Sequence, residues 1–566
     1  VFLAPDLRPF YAGTYFPPVD RFGRPGFLTL VSRIAEAWQH KRDDVMQGAD
    51  GLTEFVQKQL GAVQGAPGDL SADLLEGGVA HLRKSFDAQD GGWGGAPKFP
   101  SSPSIMLLLR AWRRTGDDAL LHMATHTLDR MAMGGMYDQL GGGFARYSVD
   151  AHWLVPHFEK MLYDNGQLAQ VYLEAYQATG EARYRQTAEE VFGYVLHDLR
   201  DEGGAFYSSE DADSEGEEGK FYIWTHDELR GLLAPEDAQL FCAYYNVQPG
   251  GNFDSHEHYH AGQNILHRTR DVAAFAEEVG RPEAEVAQAL ERARQVLLAH
   301  RAQRVRPGLD DKILTGWNGL MITALAQGAR VLDAPAYGQA AAQAAHFILR
   351  HMRREDGRLY RTHRAGESGL LAYLDDYAFF LNALVDVYEA TFDPQWLAEA
   401  RSLAELLLAD YHDAESGLFY FASAAHDDLL VRARPTFDGS EPSGNSVAAL
   451  ALLRLGTLGD VARYREVAEG VLRAMHLPMS KLPQGHLRAL STVDWLLHGP
   501  VEVALAGPAE AAHPLVQAAY GPFVPNKVVA LRPDSDGVAE AIPLLAHKTP
   551  VDGMPAAYVC RNYTCD

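Results

Sequence analysis

The stretch LYDNGQLAQVYLEAYQATGEARYRQTAEEVFGYVLHDLRDEGGAFY, residues 162–207, decides the fold. It holds an apolar helical segment, a short break, a more charged helical segment and a closing glycine-aromatic loop. The same unit returns from LTGWNGLM to GRLY over residues 314–360, and from LDDYAFFL to GLFY over residues 374–420. A repeated helical hairpin predicts stacked helix pairs, each of which buries one face against its neighbours.

Hairpin starts recur through most of the chain. The first helices are apolar or rich in small residues and the second helices are more charged, which places the first helices in an inner ring. Because six hairpins are enough to close a circle, the sequence predicts a mainly α fold, an (α/α)6 toroid, with an open solenoid as the alternative. First helices are expected to begin near Pro103, Pro156, Lys312, Leu374, Pro442 and Gly485, and second helices near Ser71, Asp117, Glu181, Pro335, Pro394 and Asp460.

Both ends of the chain follow a different pattern. Val1–Ala4 and Phe10–Tyr15 are predicted strands, and one helix is predicted over Phe27–Leu60 before a glycine-rich linker. Near the other end, two apolar strands flank a helix predicted at Glu510–Tyr520. The expected domains are an α/β segment over residues 1–60, the barrel over residues 70–498 with a helix-rich insertion at 225–309, and a small α/β region over residues 499–566.

Composition limits the function classes. The 566 residues carry a formal net charge of −25, which argues against a nucleic-acid partner or an anionic membrane surface. No run approaches the ~18 apolar residues of a membrane helix. Three cysteines in a chain of this length favour a reducing, cytoplasmic setting without a disulfide framework.

Several segments carry a family resemblance that extends over essentially the whole chain. They are PDLRPFYAGTYFPP, GGWGGAPKFP, GGMYDQLGGGFARYSVDAHWLVPHFEKMLYDNGQL, SSEDADSEGEEGKFYIWT, DDKILTGWNGLMI and YVCRNYTC. The sequence resembles the thioredoxin-domain-containing family of spermatogenesis-associated protein 20 and its bacterial relatives. The resemblance implies a thioredoxin-like domain followed by an (α/α)6 barrel similar to six-hairpin glycosidases and N-acylglucosamine 2-epimerases.

The resemblance also bears on residues 1–60. The cysteine-bearing redox segment of the family, and the tryptophan-proline stretch beside it, are expected to precede Val1. Residues 1–60 then correspond to the last two strands and helix of the thioredoxin-like domain, an incomplete sheet to which no redox activity is assigned. An unpaired apolar edge at Val1–Ala4 is expected to promote aggregation.

Polar residues recur at the starts of the inner helices. Asn165, Asn318, Asp376 and Asn445 each lie on the apolar stripe of a predicted first helix. Capping of the free helix N–H groups is one explanation. Because these residues face the core, where an unpaired polar group is costly, the alternative is that parallel inner helices gather them at one rim of the toroid as a ligand site.

Groups typical of a polar-ligand pocket surround that rim. His157, Lys160 and Asp164 are expected on one helix face after Pro156, a plausible first helical residue. Tryptophans beside carboxylates are typical of sugar-binding pockets, and Trp93, Trp153 and Trp317 are candidate stacking faces. The candidate ligand-binding residues are Trp93, Lys98, Arg146, Tyr147, Trp153, Lys160, Asp164, Asn165, Glu210, Asp213, Lys312, Trp317, Asn318, Asp375, Glu441 and Asn445.

Two reactions fit such a rim. Glycoside hydrolysis needs a pair of carboxyl groups, one with a raised pKa, and the candidates are Asp211, with Asp213 as its alternative, Asp311 and Asp376. Epimerisation needs a base and an acid on opposite sugar faces, for which His157 is the best-placed proton carrier. Spacing does not choose between the two reactions. A redox or chaperone-like protein whose barrel binds a client, and a non-catalytic sugar-binding sensor, are the alternatives from other classes.

Two weaker patterns involve metal-ligating residue types. His256, His258 and His260 alternate in a Gly- and Asn-rich segment, where a solvated loop is favoured over a metal site. Cys560 and Cys565 are expected to be free thiols. The sequence therefore predicts no cofactor and no metal centre, and a small polar, sugar-like molecule as the ligand.

Overall fold

The structure is a computed structural model of the 566-residue chain. The residues it describes are 1–21, 23–61, 65–253, 262–426, 429–533, 542–561 and 564–565. His256, His258 and His260, where a solvated loop is predicted, lie outside them.

The N-terminal segment is a β-hairpin followed by two helices. Strand β1 (Phe2–Leu3) pairs antiparallel with β2 (Pro9–Tyr11), and α1 (Phe27–His40) precedes α2 (Arg42–Gly61). The prediction of one helix over Phe27–Leu60 is wrong. Lys41 leaves the helical region with φ −137° and ψ 39°, and a new helix then begins with two acidic residues in its first turn, where they favour the positive end of the helix dipole.

Twelve helices of the described chain form the predicted ring of six hairpins, and the predicted starts agree with all but one of them. The inner helices are α4 (Ser102–Thr115), α6 (Leu162–Thr179), α12 (Thr315–Val331), α14 (Leu374–Thr391), α16 (Gly444–Leu458) and α19 (Leu487–His498). The outer helices are α3 (Ala72–Ser85), α5 (Asp118–Met133), α7 (Ala182–Asp198), α13 (Pro335–His351), α15 (Gln395–Asp410) and α17 (Ala462–Ala474). A short helix, α18 (His476–Lys481), links α17 to α19.

The ring is closed. Each inner helix contacts the next, from α4 through α6, α12, α14 and α16 to α19, and α19 packs back against α4 and α3. Glycine allows the closest of these approaches: a Cβ on Gly319 of α12 would lie 2.7 Å from the backbone carbonyl carbon of Phe379 on α14. The fold is therefore the predicted (α/α)6 toroid, and the open solenoid is excluded.

The exception among the predicted starts is Pro156. Residues Pro156–His157 form strand β4, which pairs antiparallel with β3 (Tyr147–Ser148), and α6 begins only at Leu162. His157 and Lys160 therefore precede the helix and do not share a helix face with Asp164. The remaining strands of the barrel loops and insertion are β5 (Lys160–Met161), β6 (Ser209–Glu210), β7 (Asp213–Ser214), β8 (Glu217–Glu218), β9 (Trp224–Thr225), β10 (Gln263–Asn264), β11 (Leu309–Asp310), β12 (Ile313–Leu314), β13 (Tyr360–Arg364) and β14 (Glu367–Leu371).

The insertion between α7 and α12 has its own small apolar core around Phe241 and Phe275. A buried ion pair anchors it to the barrel, because Arg301 of the insertion bonds Asp138 of the α5–α6 loop through both carboxylate oxygens, at 2.8 and 2.9 Å. Its helices are α8 (His226–Leu232), α9 (Pro235–Tyr244), α10 (Val272–Val279) and α11 (Glu283–Arg301).

A four-stranded sheet ends the chain. Its order is β16-β15-β17-β18, with β15 and β16 parallel and the other neighbours antiparallel. Cys560 is disulfide-bonded, so the prediction of a free thiol there is wrong. None of the described helices has the length and apolar character needed to cross a membrane. The elements are β15 (Val501–Ala506), α20 (Ala509–Tyr520), β16 (Lys527–Arg532), β17 (Ala556–Arg561) and β18 (Thr564–Cys565).

Candidate active site at the rim of the toroid

Asparagine side chains at the inner-helix starts hold the glycine-aromatic loops in place. Asn165 accepts the N–H of Phe144 at 2.8 Å and donates to its carbonyl at 3.0 Å. Asn318 makes the same pair of bonds with Phe206. Asn445 repeats the arrangement with the backbone of Phe419, and all three asparagines are fully buried.

These amides are therefore committed to backbone groups, and the prediction that they line a ligand cavity is wrong. An unpaired N–H or carbonyl group in a buried loop is costly. One asparagine side chain pairs both groups, because its oxygen accepts from the N–H and its NH2 group donates to the carbonyl. The same bonds explain why the sequence repeat couples an asparagine to a glycine-aromatic loop.

Asp376 occupies the equivalent place on α14 and is also structural. Its two oxygens accept the N–H groups of Gly316 and Tyr373, both at 2.9 Å, and Arg361 donates to it at 3.1 Å. Burial raises the pKa of Asp376, whereas Arg361 opposes the shift. With its oxygens bound to buried backbone groups, Asp376 is a helix cap rather than the predicted catalytic carboxylate.

The residue directly before each of these backbone-binding side chains is less deeply buried. Asp164, Trp317 and Asp375 occupy this position on α6, α12 and α14. On α16 the position is Gly444, where an added Cβ would overlap the carboxylate of Asp375. Glycine at this place therefore leaves room for the Asp375 carboxyl group against the start of α16.

Three carboxyl groups converge at this rim. Glu441, immediately before α16, interacts electrostatically with both Asp164 and Asp375. Burial, together with repulsion from Glu441 and Asp376, raises the pKa of Asp375 to about 7. Burial also raises the pKa of Glu441 and holds that of Asp164 well above its ordinary value. Oδ2 of Asp164 is buried without a hydrogen-bond partner among the described atoms.

Two arginines and two aromatic rings complete the cluster. Arg146 donates to Glu159 at 3.0 Å, and its charge partly offsets the rise in the pKa of Asp164. Arg361 partly offsets the rise in the pKa of Asp375. The rings of Tyr163 and Trp317 meet edge to face, with centroids 4.8 Å apart. A half-buried indole beside neutral and charged carboxyl groups is the combination that pockets use to bind polyhydroxylated ligands.

A cavity of about 260 Å³ opens beside Asp164. Gln167 on the next turn of α6 donates to the Ser440 carbonyl at 2.9 Å, and Asp438 accepts the N–H groups of Ser443 and Arg488, both at 2.9 Å. Burial raises the pKa of Asp438 to about 6. The loop over residues 438–441 is thus tied to α6 by the Gln167 side chain and to the starts of α16 and α19 by the Asp438 carboxylate.

Three of the predicted catalytic residues lie apart from this cluster. Asp211 is exposed and accepts the N–H of Ala212, while Asp311 pairs with Arg364 at 2.5 Å. Hydrogen bonds that the His157 imidazole donates to the carboxylates of Glu159 and Glu218 raise its pKa to about 9, so the imidazole is already protonated at neutral pH. None of these three residues is among the main causes that shift the pKa of Asp164, Asp375 or Glu441.

Several predicted ligand residues are buried away from the opening, each with its own partner. Trp153 is fully buried and donates to the Asp90 carbonyl at 2.9 Å, which excludes it as a stacking face. Lys98 is fully buried against Asp87, Lys160 pairs with Asp138, and Glu210 accepts from Tyr194. The predictions that these four side chains bind ligand are therefore wrong.

The other predicted contacts lie on the loops around the opening. Trp93 donates to the Leu82 carbonyl, Tyr147 stacks on His157 with centroids 5.0 Å apart, and Lys312 pairs with Asp310. Asp213 is exposed on β7. The structure thus brings Arg146, Asp164, Trp317, Asp375 and Glu441 together out of the predicted set.

Tyr163 and Arg361 belong to the same cluster and were not predicted. Tyr163 lies directly before Asp164 in sequence, so the rim position of Asp164 was the available signal. Arg361 comes from β13, whose pairing with β12 no helical pattern indicates. Within the described residues, no group of three or more His, Cys, Asp or Glu side chains is arranged to hold a metal ion.

Comparison with known proteins gives the following matches. Residues 1–57 match the protein family Thioredox_DsbH, described as a protein of unknown function, DUF255. Human spermatogenesis-associated protein 20 is 34% identical over 610 aligned residues, covering 100% of this chain and 77% of that protein. The uncharacterized protein B0495.5 of Caenorhabditis elegans is 29% identical and covers 100% of this chain and 81% of its own. A crystal structure of D-mannose isomerase aligns with a TM-score of 0.49 and 10% identity, over 75% of this chain and 96% of that chain.

Proposed function

The chain belongs to the family of spermatogenesis-associated protein 20, and we propose that its barrel binds a carbohydrate-like ligand at the rim and hydrolyses a glycosidic bond there. The observation that carries the proposal is the carboxyl cluster. Asp375 has a pKa of about 7, and Glu441, next to the Trp317 indole, helps to raise the pKa of both Asp375 and Asp164.

The chemistry follows from the coupling of these groups. Neighbouring carboxyl groups cannot all ionise in a partly buried site, so one of them keeps a proton near neutral pH. In this proposal Asp375 is the acid that protonates the leaving oxygen, and Glu441 is the carboxylate that activates water or stabilises positive charge on the sugar. Asp164 stays neutral and donates a hydrogen bond to a ligand hydroxyl.

The aromatic and cationic groups support binding rather than proton transfer. The half-buried Trp317 offers an apolar face for a sugar ring, and Arg146, whose side chain is 38% exposed, supplies a cation for ligand oxygens. Epimerisation is less well supported, because the best-placed histidine, His157, is paired with two carboxylates and already carries a proton.

The redox alternative draws on a different part of the chain. Residues 1–57 match the thioredoxin-related family, but residues 1–61 contain no cysteine. Dithiol chemistry therefore has no side chain to use in this segment. A sensor that binds sugar without turnover is separated from the hydrolase by the experiment that follows.

The test combines a melt screen with an activity assay. A panel of mono- and disaccharides is screened for a rise in melting temperature, and aryl glycosides of the same sugars are assayed for release of the phenol. We expect Asp375→Asn to keep ligand-induced stabilisation and to lower turnover by about 100-fold or more. The matched control is Asp211→Asn, which removes an exposed carboxylate and is expected to behave as the wild type.

If the wild type binds a sugar but cleaves no glycoside, the hydrolase proposal is wrong and the protein is a sugar-binding sensor. If no sugar shifts the melt and no glycoside is cleaved, the carbohydrate proposal is wrong.

A further inference from the structure

A second polar cavity lies inside the ring, below the rim. It has a volume of about 120 Å³ and is bounded by the inner helices and by the start of β16. Five cations but only three carboxylates line it in the described part of the chain. They are Arg110, Arg330, Arg454, Arg488 and Lys527 against Glu174, Asp386 and Glu389.

The three carboxylates are fully engaged by three of the arginines. Glu174 receives two parallel bonds from Arg110, at 2.9 and 3.0 Å. Asp386 accepts from Arg330 and Arg454, both at 2.9 Å, and Glu389 bonds the same two arginines. These contacts form a compact ionic network on the wall of the cavity.

Arg488 is the arginine of this wall that makes no salt bridge with these three carboxylates. Its guanidinium makes one side-chain bond in the described structure, a 3.2 Å contact from Nη1 to the sulfur of Met106, and Nε is buried without any partner. Burial, together with the charge of Arg110, lowers its pKa to about 10, while the more distant charges of Glu174, Asp438 and Asp386 oppose the shift. A guanidinium has five N–H donors, and leaving them unpaired in a desolvated place is costly.

Arg488 also lies where the cavity continues toward the rim. It lines a narrower space together with Gln167, Thr323 and Asn382, and Gln167 borders the rim cavity that holds Asp164. The neutral polar side chains of Gln167, Thr323 and Asn382 thus lead from the opening to a cation that makes no direct salt bridge with any described residue.

We propose that this axial cavity is an anion site in which the Arg488 guanidinium binds a carboxylate or phosphate group. A planar guanidinium matches the two oxygens of either group, and the bound charge offsets the excess of cations on the wall. Lys527 contributes to that excess, because its Nζ donates to the Ala519 carbonyl and lies over the Tyr520 ring without a carboxylate partner in the described chain.

The anion has two possible sources, a free small anion or an acidic group carried by a sugar at the rim. The proposal does not depend on hydrolysis, since it rests on Arg488 and not on Asp375. We therefore use inorganic phosphate, glucose 6-phosphate and glucuronate as probes, with glucose as the uncharged comparison. Binding is measured by calorimetry and by broadening of the phosphate ³¹P resonance.

Arg488→Met removes the charge and keeps much of the side-chain length. We expect it to fold and to bind the anion that the wild type binds about 10- to 100-fold more weakly. The control is Arg183→Met, which removes an arginine that is 49% exposed on α7 and is expected to bind as the wild type. Asp375→Asn should retain anion binding, so that failure of the hydrolase proposal is distinguishable from failure of this one.

Arg488→Lys is a second test of anion binding, and it does not depend on whether Arg488→Met folds. It keeps a cation but not the two-point geometry, and intermediate affinity is expected. Binding of phosphate alone identifies a free anion, whereas binding of only glucuronate or glucose 6-phosphate identifies an acidic sugar. The proposal is overturned if no probe binds, if Arg488→Met binds as tightly as the wild type, or if Arg488→Lys does.

Discussion

At the scale of the residue, adjacent positions at the start of an inner helix do different work. In Asp164-Asn165, Trp317-Asn318 and Asp375-Asp376, the second residue hydrogen-bonds to backbone groups and the first is less deeply buried. The apolar stripe points to the second residue, because that residue lies toward the core. The sequence pattern therefore favours Asp376 as the catalytic carboxyl, whereas the less buried carboxyl is that of its neighbour Asp375.

The raised pKa of Asp375 gives a pH-dependent prediction. Its pKa is about 7 in the folded chain against an ordinary 3.8, so folding favours the neutral acid. The resulting stabilisation is present below pH 3.8 and is lost as the pH rises through 7. Asparagine mimics the neutral acid at every pH. Asp375→Asn is therefore expected to match the wild type near pH 4 and to be more stable by about 2–4 kcal/mol near pH 8.

The measurement is urea unfolding of both proteins across this pH range. Asp211→Asn serves as the control for removal of an exposed carboxylate. A stability difference between Asp375→Asn and the wild type that stays constant from pH 4 to pH 8 would show that Asp375 does not titrate as described.

At the scale of the element, the hairpin repeat was the most readable part of the sequence. The alternation of apolar and charged helices predicts the starts of α14 and α13 at the observed residues. A helix that buries one face repeats its apolar residues with the 3.6-residue helical period, and this repeat is visible in the sequence. The strands before α6 were not predicted, because two-residue ladders such as β3–β4 leave no period to detect. The single helix predicted at Phe27–Leu60 failed for a related reason: its break at Lys41 involves neither glycine nor proline.

The clamp that joins a helix to the neighbouring loop is testable on Asn318. Asn318→Ala leaves the buried N–H and carbonyl of Phe206 without partners, and we expect it to cost about 2–4 kcal/mol of unfolding free energy. Asn318→Asp keeps the acceptor for the Phe206 N–H but loses the donor, so an intermediate loss is expected. Urea unfolding gives the free energies, and hydrogen exchange reports the protection of the Phe206 amide.

The prediction for Asn318 fails if Asn318→Ala leaves both stability and the exchange rate of that amide unchanged. In that case the two bonds would contribute nothing beyond what water supplies to the same backbone groups.

At the scale of the whole molecule, the C-terminal sheet is built into the ring rather than attached to it. Tyr520 at the end of α20 is buried against Arg330 of α12, with the guanidinium 5.0 Å from its ring. The N–H of Val529 on β16 reaches Glu389 of α14 at 3.4 Å. The ionic network that lines the axial cavity therefore has the C-terminal sheet as part of its boundary.

This arrangement predicts that the ring and the C-terminal sheet unfold together. Tyr520→Ala removes a buried aromatic ring from the junction and is expected to cost about 3–5 kcal/mol, lowering the exchange protection of α14 and β16 in parallel. Val559→Ala, at a side chain 47% exposed on β17, is the control and is expected to change little. If Tyr520→Ala exposes β16 to exchange while α14 keeps its wild-type protection, the two parts are separate cooperative units and the axial cavity is a seam between them. Parallel loss in both elements instead means that the network around Asp386 and Glu389 stabilises the ring and the sheet as one structure.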